Sequence, residues 1–247
     1  MGSCSDGVNG MIYVTSDLHG YPLEKFQKML DAAGFTDEDF LFLLGDVIDR
    51  GPEGAELLLW LTQQSNVQLL LGNHEALLLA CRFLFEEATE DRLDALTTEK
   101  LALVQNWVDN GGSSTMQGLR KILKRDPDLV DGILEYLLDA PLFEWADVDD
   151  RRFLLVHAGL ENFSPHRDLE DYDPRELLLA RPGLDTVYFD DAMVVFGHTP
   201  TELFGEAYKG RAVQTDSWIC IDTGAGWGGA PMLLRLDDGK TYYFDGE

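Results

Sequence analysis

The run LFLLGDVIDRG at residues 41–51 leads an apolar stretch straight into two carboxylates and a guanidinium, Asp46, Asp49 and Arg50. Like charges so close at the edge of a core are costly unless a cation neutralises them or the arginine pairs with one of them. A bound metal ion is the simplest resolution. Alone, the motif reads equally well as an acidic turn capping the helix that Pro52 opens. The other histidines and carboxylates shift that balance. His19, His74, His157 and His198 each follow an apolar run, and Asp17, Asp46 and Asn73 share that context. Imidazole, carboxylate and amide oxygen without thiolate suit Mn, Fe, Zn or Mg. The set exceeds what one tetrahedral ion needs. Two ions about 3.5–4 Å apart, sharing one carboxylate, would use all of it, and such pairs drive in-line displacement at phosphorus. Asp46, central in the set, is the natural bridge.

Open α/β sheets bind ligands beyond the carboxyl ends of their strands, so strands must end at these residues. Residues 11–16 read as a strand that breaks into Asp17-Leu18-His19-Gly20; Pro22 then opens a helix with Leu23, Phe26, Leu30 and Ala33 at helical spacing, and Gly34 ends it. Strands at 40–44 and 67–71 deliver the central motif and Gly72-Asn73-His74-Glu75, with a helix at 53–64 between them. Residues 76–140 are helical in pattern, broken at Asn110-Gly111-Gly112 and at Asp126-Pro127, and are expected to form a helical insertion. Ordinary packing is the expected role of that segment, rather than catalysis. Strands at 142–148 and 152–156 flank an Asp149-Asp150 turn and end at His157, and a strand at 193–196 ends at His198. Runs at 218–222, 232–236 and 241–244 are expected to complete an antiparallel end, with Asp238-Gly239 as a hairpin turn. The expected class is α/β, with residues 1–9 a flexible lead-in and 10–247 a single domain.

A hydrophobic content of 45% with 11% aromatics provides a substantial core. The formal charge of −26 repels phosphate backbones and anionic lipid, which argues against nucleic acid and membrane surfaces as partners. Cys4, Cys81 and Cys220 are too few and too scattered for a disulfide framework or a structural zinc site, so a cytoplasmic location is expected. Neither a signal peptide nor a membrane span is read in the chain.

Asp17-Leu18-His19-Gly20, Gly45-Asp46-Val47-Ile48-Asp49-Arg50-Gly51, Gly72-Asn73-His74-Glu75, His157 and His198 together resemble the signature set of the calcineurin-like metallophosphoesterases, within them the phosphoprotein phosphatase family. Asn110-Gly111-Gly112, Gly197-His198-Thr199-Pro200 and Asp222-Thr223-Gly224-Ala225 with Gly228-Gly229 resemble its bacterial and phage branch. The resemblance implies a β-sandwich flanked by helices. It also implies one metal held by Asp17, His19 and Asp46 and a second held by Asp46, Asn73, His157 and His198, manganese being the usual activator. His74 would be the general acid, oriented by Asp49, and Arg50 and Arg181 would grip the phosphate. Two departures stand out: Ser16 replaces the usual glycine, and Leu179-Ala180-Arg181 replaces the common Trp-x-Arg.

The implied activity is that of a serine/threonine protein phosphatase, with direct attack of a metal-bridging hydroxide on a phosphorylated protein or a small phosphoester. The alternative is a dinucleoside polyphosphate hydrolase, with diadenosine tetraphosphate as its type substrate. It would use the same centre on a phosphoanhydride, although the sequence marks no residues for a nucleotide pocket. A non-catalytic interaction module built on residues 76–140 ranks last, because no ligand and no acid is missing.

Overall fold

Alternation along the strands decides the layering of the computed structural model, which describes residues 10–86 and 97–244. The expected lead-in at 1–9 lies outside the described residues. In β1 (Ile12–Thr15), Ile12 and Val14 enter one apolar core and Tyr13 another; in β2 (Phe40–Leu43), Phe42 joins the first pair and Leu41 and Leu43 join Tyr13. Successive side chains of a strand point to opposite faces, so a sheet apolar on both faces must be covered twice. β1 pairs in parallel with β2, and β2 with β3 (Val67–Leu69). The hairpin of β9 (Met232–Arg235) and β10 (Thr241–Tyr243) adds antiparallel to β1, giving the order β10-β9-β1-β2-β3.

The second sheet runs β4 (Phe143–Val148), β5 (Arg151–Val156), β6 (Met193–Phe196), β8 (Trp218–Cys220), β7 (Val213–Gln214). Phe153, Leu155, Val195 and Ile219 face Ile12, Val14, Phe42 and Leu44 across the sandwich, while Leu154, Val156, Val194, Phe196 and Trp218 line its far side. The expected β-sandwich flanked by helices is the observed architecture. One expectation is corrected: the strand at 218 does not belong to an antiparallel end. β8 runs parallel to β6, and among the described residues its one antiparallel neighbour is β7. The uninterrupted apolar run WICI is what a central parallel strand requires, and two-residue β7 is too short to leave a periodic signal.

The outer face of the first sheet is covered by α1 (Leu23–Ala33), α2 (Gly54–Leu61), α3 (Asn73–Ala80), α4 (Thr98–Asp109), α5 (Ser113–Arg125) and α6 (Pro127–Leu138). α1 buries Phe26, Met29, Leu30 and Ala33 at helical spacing, and a left-handed Gly34 (φ 80°) ends it. Each such large side chain contributes about 1.5–3 kcal/mol on burial. The described part of 76–140 shares this core: Trp107, Leu119, Ile122, Val130, Ile133 and Leu137 pack with Tyr13, Leu41 and Leu43. Among the described residues no helix is long and apolar enough to cross a membrane.

Candidate metal centre

The carboxyl ends of β1, β2, β3, β5, β6 and β8 deliver, in turn, Asp17 and His19, Asp46 and Asp49, Asn73 and His74, His157, His198, and Asp222. Backbone bonds lash these corners together: Asp17 N donates to Gly45 O (3.1 Å), His19 N to Asp46 O (2.9 Å) and Gly197 N to His157 O (2.8 Å). Asp17, His19, Asp46, Asp49, Arg50 and His198 all take positive φ, between 45° and 71°. Left-handed conformations cost non-glycine residues of order 1–3 kcal/mol each and persist only where surrounding structure enforces them. Gly45, at φ +88°, has no room for a side chain: a Cβ there would lie 2.5 Å from Gly72 Cα and 2.9 Å from His157 Nδ1.

Asp46 sits at the centre. Its Oδ2 lies 3.6 Å from His19 Nε2 and 3.8 Å from His74 Nε2, and its Oδ1 lies 3.5 Å from His157 Nε2. Two groups with donor atoms within 4.8 Å of one another result, one of His19, Asp46 and His74, the other of Asp46, His157 and His198, and Asp46 belongs to both. Asn73 joins the second, its Oδ1 3.0 Å from His157 Nε2.

Three features fit a divalent cation. First, the imidazoles are held in the ligand tautomer: His157 Nδ1 is 2.6 Å from Leu44 O and His19 Nδ1 is 3.0 Å from Ile48 O, so the single proton of each neutral ring is committed there. Nε2 of His157 then turns its lone pair toward the oxygens of Asn73 and Asp46. A cation between them resolves that opposition. Second, burial drives the His19 and His198 pKa values down to about 3 and lowers that of His157, so the rings are neutral. Third, buried Asp17 Oδ1 has no hydrogen-bond partner, whereas its Oδ2 accepts from the Ser16 hydroxyl and from His198 N. Burial, Asp222 and Asp46 raise the Asp17 pKa well above its ordinary value, so that a positive charge beside it would be favourable.

His74 belongs to the first group, its ring edge-on to that of His19 with centroids 4.8 Å apart. Its Nδ1 is 2.7 Å from Asp49 Oδ2, leaving Nε2 toward the cavity. Burial opposes the imidazolium, but the carboxylates of Asp46 and Asp49 outweigh it and the pKa is raised. Asp49 is fixed from the helical layer: Trp107 Nε1 donates to its Oδ2 (2.9 Å), and its own N–H donates to Thr115 Oγ1 (2.9 Å). Among the described residues Arg50 pairs with neither Asp46 nor Asp49. Its guanidinium instead reaches His19 Nε2 at 2.9 Å and His74 Nε2 at 3.3 Å and lies 4.6 Å from the Trp227 ring. Arg181, 3.4 Å from Thr199 Oγ1, lines the same cleft of about 520 Å³.

Some contributors had no role in the sequence reading. Glu75, fully buried, accepts from the backbone N–H groups of Asp46, Val47 and Gly72 and so shapes the turn that presents Asp46. Burial lifts its pKa to about 7. Asp222 is buried beside Asp17 and Asp46 and is likewise raised to about 7, chiefly by burial. Both stand inside recognised motifs, which was the available signal. Trp107 and Thr115 act across distances of 58 and 66 residues, which no local pattern marks.

A carboxylate shared by two imidazole groups, at the edge of a cleft that also presents two guanidiniums, is a site suited to divalent cations and a phosphoryl group. The chain belongs to the calcineurin-like phosphoesterase family, whose model matches residues 10–218. Among curated proteins it is 28% identical to a symmetrical bis(5'-nucleosyl)-tetraphosphatase of Chromobacterium violaceum, with 94% of each chain covered. It is 26% identical to the protein of that name from Pseudomonas entomophila, covering 94% of this chain and 93% of the relative. Among solved structures, one provisionally assigned as a diadenosine tetraphosphatase superposes with a TM-score of 0.64 at 18% identity, covering 97% and 96% of the two chains. A serine/threonine phosphatase of Saccharomyces cerevisiae gives 0.60 at 14% identity, covering 98% of this chain and 82% of the other. These structural likenesses show the fold.

Proposed function

We propose that this chain is a metal-dependent hydrolase of dinucleoside polyphosphates, cleaving diadenosine tetraphosphate or a close analogue. The observation that carries this reading is the end-to-end similarity to proteins named as symmetrical tetraphosphatases, joined to a cleft able to hold a polyphosphate between Arg50 and Arg181. The alternative weighed from the sequence thus becomes the main reading.

Asp17, His19 and Asp46 would hold one cation, and Asp46, Asn73, His157 and His198 the other, manganese being the first to test. Cations bound there supply Lewis-acid chemistry, neutralising phosphoryl charge and acidifying water. The protein does the rest. Arg50 and Arg181 bind the phosphoryl oxygens and align the scissile bond, and Glu75 and Ser16 keep Asp46 and Asp17 in place. Water oxygen bonds to phosphorus and gives up a proton to solvent, the bridging P–O bond breaks, and the nucleoside diphosphate departs as its anion, with His74 Nε2, its ring held by Asp49, placed to hydrogen-bond the departing oxygen.

A serine/threonine phosphatase is the second reading, favoured by one feature. The raised pKa of His74 supplies an acid that an alkoxide leaving group needs and a nucleoside diphosphate does not. The deciding experiment compares, with Mn²⁺ and again after chelation, ADP formation from diadenosine tetraphosphate with phosphate release from phosphoserine and phosphothreonine peptides. The expected result is metal-dependent turnover with the higher kcat/KM on the dinucleotide. The reverse preference would transfer the assignment to the phosphatase reading.

A further inference from the structure

A dinucleotide substrate presents two nucleosides as well as a polyphosphate, and the charged cleft accounts only for the latter. Next to it lies a second cavity of about 310 Å³. The two share Pro200, Glu202 and Trp227, so they form one continuous depression with Trp227 on the divide. Their linings differ in kind. The first holds His19, His74, His198, Arg50 and Arg181; the second has neither histidine nor arginine among the described residues, and its lysine, Lys209, is paired with Glu202 at 3.1 Å. What remains is aromatic and uncharged: Trp227, Tyr243, Phe244, Thr201 and the backbone of Gly224 and Gly229. A phosphate has nothing to bind there. A flat group with hydrogen-bonding edges does.

Trp227 is presented for such a contact. It ends a short turn between left-handed Gly224 (φ 89°) and Gly228 (φ 88°), and 68% of its surface is exposed. Leu203 and Leu179, which line the first cleft with Trp227, are 67% and 51% exposed. Large apolar side chains gathered at the mouth of a charged cleft mark a binding surface. Thr201, in the lining of the second cavity, carries a buried hydroxyl that has no hydrogen-bond partner. The wall therefore holds unused polar capacity beside its aromatic surface.

The geometry points to the second cavity as a nucleoside site, with the purine of one half of the substrate stacked on Trp227 while the polyphosphate runs past Arg50 into the first cleft. Arg50, 4.6 Å from the indole, links the two: one side chain contacts the stacking ring and faces the phosphoryl site. Trp227 then selects nucleotide over simple phosphoesters. This inference rests on the dinucleotide reading proposed above and deepens it.

Steady-state kinetics of the wild type, Trp227→Ala and Trp227→Phe on diadenosine tetraphosphate and on p-nitrophenyl phosphate, both with Mn²⁺, test it. Removing a base-stacking platform should lower the ratio of kcat/KM for the dinucleotide to kcat/KM for the nitrophenyl ester by about tenfold or more. The loss should appear in the dinucleotide KM rather than in kcat. Trp227→Phe, which keeps an aromatic face, should hold that ratio within about threefold of wild type. An unchanged ratio in Trp227→Ala, with wild type turning over the dinucleotide, overturns the nucleoside site and leaves the proposed function standing. A wild type that hydrolyses only the nitrophenyl ester removes both. With a phosphoserine peptide assayed alongside, a loss in Trp227→Ala confined to the peptide assigns the groove to peptide and overturns the inference.

Discussion

His74 and Ser16 carry the sharpest expectations for single side chains. With Asp49 at its Nδ1 and Nε2 toward the cleft, His74 is placed to protonate a leaving group, and the value of that proton depends on what leaves. His74→Asn should lower kcat by about 10²–10⁴ on a phosphoserine peptide and much less on p-nitrophenyl phosphate, whose leaving group is a weak base. Equal losses on the two esters would show that the histidine binds rather than protonates. Ser16, a departure from the expected glycine, donates its hydroxyl to Asp17 Oδ2, while Oδ1 stays without a protein partner. One oxygen is thereby anchored, and the other is free for the cation that the proposed function assigns to it. Ser16→Ala should weaken Mn²⁺ binding by roughly tenfold, as loss of an anchor behind a ligand commonly does, and calorimetric titration of the apoprotein measures it. Affinity equal to wild type would mean that the His198 N–H bond alone orients Asp17.

Between elements, the site depends on close approach of strand corners. Gly45 ends β2 against the Gly72 backbone of the next corner, and its φ of +88° is a second obstacle to any side chain. Gly45→Ala should therefore cost about 2–4 kcal/mol from overpacking and backbone strain together, read as a lower urea midpoint in chelator. An unaltered midpoint would show that the β2 and β3 corners can move apart. This level also shows what the sequence could and could not disclose. Asp17, Asp46, Asn73, His157 and His198 were legible because each stands directly after an apolar run, and the physics of a parallel sheet brings such positions to one edge. The support from Trp107 and Thr115 was not, because it comes from helices whose pattern records only their apolar faces. The direction of β8 was missed for a related reason: an apolar run announces a buried strand without saying which neighbour it lies beside or which way that neighbour runs.

Over the whole molecule the dominant quantity is the formal charge of −26, against which Arg50 and Arg181 form a small cationic patch inside an anionic surface. Long-range fields set encounter rates and are screened by salt. A phosphopeptide with basic flanks should lose kcat/KM as ionic strength rises from about 0.02 to 0.2 M, whereas the polyanionic dinucleotide should not. Parallel salt dependences for the two would mean that the cleft field governs encounter and the outer surface does not. The left-handed backbone at Asp17, His19, Asp46, Asp49, Arg50 and His198 reaches further. At most positions glycine is the destabilising choice, but at these six it relaxes the main chain, and at Asp17 it also removes an acid crowded by Asp222 and Asp46. Selection of this protein for heat resistance alone, in the absence of cations, is thus expected to favour glycine at Asp17, a position proposed to hold a cation, and to return sturdier variants that bind metal less well.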